Sequence, residues 1–371
     1  MKKLRCLWIA GISAIVLLTG YAHPAVAQIK SAGEIVRGGQ ADAQTLFQEY
    51  LKPYADGLGA NLNSGWFSRA KPNDAFKFDI MVRTSIAMVP ITGRNYFVDE
   101  LDLENLQLVE GTPKSPTAFG GKAAGPVMAV VKEHPITGEL EEVTRFALPN
   151  GTGSPYMSAP LLQVNMGLGA NTEVSVRYVP KTPTKNARIG MTGIGIKHGL
   201  NHWFKKGEQS VIDFSMHFGY TRLFSDFGLE VLPEVADDIY NPFRMNPTVW
   251  DGQSIDLRGH GIIANIIAGR NFSTLSVFVG VGFQASRMMV DAPGAYPTTT
   301  FNPEYDPEDF SEETRLRKVE LLYKPVKLDF MGANNLHTTG GLSMKIGFVN
   351  LTTSFVLSRY TVANIGAGIR F

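Results

Sequence analysis

Cysteine is almost missing from this chain, and several kinds of chemistry go with it. The one cysteine, Cys6, lies ahead of the apolar run Leu7–Leu18, so nothing downstream can form a disulfide or act as a thiolate. No charge sign dominates. Once Lys2, Lys3 and Arg5 are set aside with residues 1–27, 32 basic residues face 34 acidic ones, which excludes the basic footprint of a nucleic-acid binder. After residue 18 no apolar stretch approaches the ~20 residues of a membrane-spanning helix. A G-x-S-x-G nucleophile elbow is also missing.

Little catalytic chemistry is left. Ser215 and His217 are two apart on one strand face, where neighbouring side chains splay instead of meeting. His198 and His202 are spaced H-x-x-x-H across a strand end and a turn, with no acidic residue beside them; zinc would need a shared face and a third ligand. No enzyme activity, cofactor or metal is expected.

The amino terminus reads as an export signal. Lys2, Lys3 and Arg5 form a basic n-region, Leu7–Leu18 an apolar h-region, and Ala25-Val26-Ala27 a cleavage site. The remaining chain alternates. At the carboxyl end Ala363, Ile365, Ala367, Ile369 and Phe371 share one face, and Asn364, Gly366, Gly368 and Arg370 the other. A free, half-apolar last strand would be a sticky edge in water but suits the closing strand of an outer-membrane barrel. Ile369 and Phe371 are therefore the expected assembly signal, read by the barrel assembly machinery.

The same period recurs at 76–88, 160–169, 172–180, 187–198, 210–223, 253–268, 273–287, 338–348, 350–359 and 362–371. Three further stretches, Val127–Val131, Glu142–Ala147 and Leu316–Asp329, could be loop hairpins or wall strands. The expected fold is thus all-β, a transmembrane antiparallel β-barrel of 10–14 strands with a short N-terminal helical segment. Short connections at 169–171, 203–209, 269–271 and 349–350 would face the periplasm, and the long segments 91–158, 225–250 and 288–336 the exterior. Two stretches resist the pattern. In Arg188–His198 the apolar face switches between Met191 and Ile194, as if Thr192-Gly193 formed a bulge, and Gln253–Ala268 carries isoleucines on both faces.

Residues 28–70 stand apart from the barrel, 71–371. Leu46, Phe47, Tyr50, Leu51 and Tyr54 have helical spacing, and Pro53 and Gly57 are expected to end that helix. The segment is either a periplasmic extension or a plug in the barrel mouth. If the apolar face meets lipid, Lys77, Asp79, Arg83, Glu173, Arg177, Asp213, His217, Lys345 and Arg370 line the lumen, as an ion-pair network or as a selectivity lining. Trp66, Trp203, Trp250, Tyr178, Tyr220 and Tyr360 fall near strand ends and are expected in an interfacial aromatic girdle.

Gly65-Trp66-Phe67, the Pro160–Tyr178 hairpin, Gly193–His198 and the Phe371 ending together resemble a group of Gram-negative outer-membrane barrel proteins, distantly similar to long-chain fatty-acid (FadL/TodX-type) transporters. The transporters' N-terminal Asn-Pro-Ala hatch signature is missing here. The resemblance implies an outer-membrane monomer in contact with lipid, passively admitting a small hydrophobic ligand. The alternative is a non-transporting interaction barrel whose outer loops bind an envelope or external partner.

Overall fold

The computed structural model describes residues 32–183, 187–204 and 210–371; the expected signal peptide, residues 1–27, lies outside them. Ten strands form the wall: β1 (Phe78–Met88), β2 (Tyr156–Gly169), β3 (Thr172–Pro183), β4 (Ala187–Gly199), β5 (Asp213–Gly228), β6 (Ser254–Asn271), β7 (Leu275–Asp291), β8 (Leu336–Ile346), β9 (Val349–Leu357) and β10 (Thr361–Arg370). Each pairs antiparallel with its chain neighbour, and β1 also pairs with β10, from Asp79↔Arg370 to Met88↔Thr361. These ten strands close into a ring.

The apolar face of the alternation is the outer one. Val279, Val281, Phe283, Phe355, Leu357 and Ile365 are about half exposed there, while Asp79, Arg83, Ser175, Gln163 and Asn364 are buried inside. At one mouth the connections are short. Gly169, Ala170 and Asn171 all have positive φ (86°, 45° and 54°) in the β2–β3 turn. At the other mouth lie 89–155, 229–253 and 292–335. Val127–Glu133 and Leu140–Ala147 form a loop sheet with Leu106–Glu110, while Arg317–Tyr323 pairs with Ala295–Phe301 on one side and Ile239–Tyr240 on the other. Of the three stretches left open by the sequence, Val127–Val131 and Glu142–Ala147 stay in the first loop sheet. Leu316–Asp329 is divided: its first part lies in the second loop sheet, and its last residues begin a short strand, Lys327–Met331, that pairs antiparallel with the upper end of β7 beside the ten-strand ring.

Helix α1 (Gln40–Asn63) starts among these loops and descends into the barrel. The Asp42 carboxylate accepts the loop N–H groups of Glu104 (2.7 Å) and Asn105 (2.8 Å). Twenty residues further on, Asn61 and Asn63 donate to the wall carbonyls of Met157 and Ala285 (both 3.0 Å). The expected stop at Pro53 and Gly57 is wrong, because the helix runs ten residues past Pro53. An internal proline costs about 3 kcal/mol, but Leu46, Phe47, Tyr50, Leu51 and Leu62 are buried, at about 1.5–3 kcal/mol each. The glycines mark close approach to the wall; a Cβ on Gly59 would lie 2.1 Å from Ser286 Oγ.

That descending helix also explains the two irregular strands. Met191 and Leu257 face inward and pack in the same cluster as α1, and Ile263 and Ile267 pack with Trp66, Phe67 and Phe278. At these four positions the lumen wall is apolar because the plug packs against it. The bulge expected at Thr192-Gly193 does not exist; β4 pairs in unbroken register there, and the irregularity lies in β3 between Val179 and Thr182.

Candidate functional site: the occupied lumen

Ten strands spaced ~4.8 Å apart and tilted about 40° enclose a backbone circle of roughly 10 Å radius. Once inward side chains line it, room remains for one helix, itself about 10–12 Å across. The chain fills that room with α1 and then with the extended run 64–76. Beside Trp66 and Phe67 the residual void is about 10 Å³, at the lower limit of what a single water requires.

At the helix C-terminus the last carbonyls point down without intrahelical partners, and wall side chains supply the donors. Arg177 donates to Leu62 O (3.1 Å) and Ser64 O (2.6 Å), and to Gln163 Oε1 (2.9 Å). Thr221 donates to Leu62 O (3.1 Å), Arg83 to Gly65 O (2.7 Å) and Gln163 to Trp66 O (2.8 Å). The Arg177 guanidinium also lies 3.7 Å from the centre of the Trp66 ring. Among the described residues no carboxylate pairs with Arg177, which is fully buried. Its charge is met by the negative end of the helix and the face of an indole. Trp66 lies against Gly195 and Gly219, where a Cβ would come within 2.8 and 2.7 Å of the indole.

One layer lower, Glu173 bridges the wall to the plug. It pairs with Lys197 at 2.9 Å and accepts the backbone N–H of Asn73 at 2.8 Å. Asp79 pairs with Arg370 at 3.0 Å across the β1–β10 seam. Of the nine residues expected in the lumen, Asp79, Arg83, Glu173, Arg177 and His217 are buried inside it. Arg370 is half-buried, and Asp213, also half-buried, accepts from Asn271 at 2.6 Å near the short-turn end. Lys77 and Lys345 lie exposed at the rim. Lys197 and Gln163 escaped the sequence reading. The supposed bulge put Lys197 in doubt, and Gln163, though on the polar face, carries no charge.

The aromatic girdle is thinner than expected. Trp203, Tyr178 and Tyr220 are exposed, but Trp66 is in the lumen, Trp250 in the loop core and Tyr360 under the loops. His198 and His202 meet edge to face at 5.2 Å beside Trp203 at the short-turn mouth. Ser215 and His217 are both buried, and His217 is wedged against the rings of Trp66 and Phe67. Phe371 is exposed, stacks on Phe78 at 5.9 Å and exchanges two backbone hydrogen bonds with it; Ile369, half-buried, pairs with Ile80 and Val349.

A family model described as a family of unknown function, DUF6588, matches residues 1–371. The chain belongs to that family. No curated protein matches it. Solved structures similar to it are outer-membrane barrels. The attachment invasion locus protein Ail of Yersinia pestis is 9% identical, covering 80% of this chain and 99% of that one, with a TM-score of 0.22. The translocator domain of the autotransporter NalP from Neisseria meningitidis is 9% identical over 81% and 90%, with a TM-score of 0.28. The transport unit of the autotransporter AIDA-I from Escherichia coli is 11% identical over 86% and 99%, with a TM-score of 0.29. This DUF6588 member is an outer-membrane-type β-barrel with an occupied lumen.

Proposed function

We propose that this protein is a closed outer-membrane barrel that holds its folded loops outward as a docking platform for an envelope or external partner. The observation that carries this reading is the lumen: four wall side chains, Arg83, Gln163, Arg177 and Thr221, bind the plug backbone at four carbonyls. The platform is ordered by its own ties. Arg317 binds Asp238 (2.6 Å) and Val143 O (2.7 Å), joining two loops to a third. The barrel works as a monomer among outer-membrane lipids, with no catalytic role, and Ile369 and Phe371 present the last strand to the assembly machinery.

A second reading, passage of a small hydrophobic molecule as in FadL/TodX-type transporters, requires the plug to move. It draws support from buried polar atoms left without partners around it, Trp66 Nε1, His217 Nε2 and Asn63 Oδ1, each costing about 1–3 kcal/mol. Planar-bilayer conductance separates the two. The platform reading expects no current from the mature protein and steady current after deletion of residues 40–63. Current or fatty-acid flux through the intact chain would refute it.

A further inference from the structure

On the outer face of the wall, between β4 and β7, the apolar band is not flat. Ile194, Phe218, Tyr220, Ile262, Ala264 and Phe283 line a depression of about 610 Å³, made where the small Ala264 sits among aromatic and branched neighbours. The next outward positions toward the long-loop mouth, about 7 Å along the β5 and β6 strands, carry an arginine and an imidazole. Tyr220 and Ile262 are followed by Arg222 and His260, which face each other in register, and His260 faces Arg287. One position beyond, Phe224 faces Arg258. The Phe224 ring is flanked by two cations, Arg222 at 4.3 Å and Lys181 at 5.1 Å.

Acidic groups lie mostly farther out. Asp226, Asp256 and Asp291 form the outermost row, where Asp226 holds Arg188 at 2.7 Å, and Asp329 neutralises Arg287. Among the described residues no carboxylate pairs with Lys181, Arg222 or Arg258. The rest of the rim has no such cluster among the described residues: Met88, Tyr156, Ser158, Leu336, Leu357 and Thr361 hold the outward upper positions there. Exposed cations that only kept the rim wet would have no reason to gather above this depression. Tyr220 Oη, 2.8 Å from His260 Nδ1, joins the two parts.

We propose that this sector binds a phosphorylated, multiply acylated lipid of the outer leaflet, with a phosphate between Lys181, Arg222 and Arg258 and an acyl chain over Ala264. Such clusters attract anionic headgroups, and the chain adds apolar burial. The inference rests on the long loops facing outward. A Gln40→Cys label, clean because no other cysteine follows residue 6, tests that orientation separately with an impermeant maleimide on intact cells.

Native mass spectrometry of the mature protein in detergent tests the site, with bisphosphorylated lipid A, its dephosphorylated form and inorganic phosphate as probes. Lipid A should be retained at least tenfold more strongly than the dephosphorylated form. Retention should fall by a similar factor in Arg222→Gln/Arg258→Gln, but not in Arg359→Gln, an exposed arginine outside the sector. Ala264→Trp, which fills the depression and leaves the charges alone, should also weaken it, and serves if the double variant fails to show the heat-modifiable mobility of a folded barrel. Equal retention of both lipids, no loss in the variants that fold, or displacement by millimolar inorganic phosphate would overturn the proposal.

Discussion

Replacing Arg177 with Met tests whether the wall arginine holds the plug. The substitution keeps side-chain length and apolar packing but removes the charge and the donors. Two effects oppose each other. Losing a buried cation relieves its desolvation cost, and replacing buried ionic groups by apolar ones is often neutral. Here, however, the partners stay behind. Ser64 O and Gln163 Oε1 lose their donor in the dry lumen, whereas Leu62 O keeps Thr221. Two charge-assisted bonds at about 1.5–3 kcal/mol each outweigh the relief by about 3 kcal/mol, roughly a hundredfold in the equilibrium for plug release. The reporter is Ser68→Cys, in a position 4% exposed inside the lumen. Its maleimide labelling in the folded protein should be about a hundredfold faster with Arg177→Met than without it. Unchanged labelling would show that the helix is held by packing alone and would refute the argument from the carbonyls.

Gly219→Ala should cost about 1–3 kcal/mol by driving a methyl group into the Trp66 indole, read as a lower urea midpoint; Trp66→Leu in the same chain should restore part of it. Phe371→Ala, which keeps the two backbone hydrogen bonds to Phe78, should lower the yield of assembled barrel in cells while leaving refolding in detergent nearly unchanged, since the ring only caps Phe78 at the exposed rim. For the loops, the hydrogen bond from Arg317 holds the Asp238 carboxylate below its ordinary range. Its contribution to loop stability is therefore complete above about pH 4, the value of a free carboxyl, and fades as the pH drops further through the lowered folded value. Hydrogen exchange in Arg317–Tyr323, corrected for intrinsic rate, should be flat from pH 5 to 8 and rise below pH 4. Arg317→Gln should raise it throughout.

The wall was legible because lipid on one side and polar groups on the other impose a period of two, which survives in all ten strands. Reading failed wherever the inner side was not wet. Met191 and Ile267 looked like faults in the alternation, because nothing local tells a strand that a helix will lie against it. Pro53 and Gly57 carry real helix-ending propensities, which tertiary burial overrode. Trp66 looked interfacial because a tryptophan near a strand end usually is; its place in the lumen depends on Gly195 and Gly219, some 130 to 150 positions away. The charged lining was found by parity, but its purpose was not, since Arg177 answers backbone oxygens that belong to no sequence motif.

One consequence concerns how the ring is made. Ala32–Gly39 rests among the distal loops, yet β1 begins at the opposite opening, so the leading limb is threaded through a hoop that its own later residues close. When the final hairpin zips against the first strand, the thread is captive. A bulky folded tag fused ahead of residue 32 would have to reach the distal side before the ring closes, since it could not be drawn through afterwards, whereas the same tag inserted in a distal loop leaves the thread unencumbered.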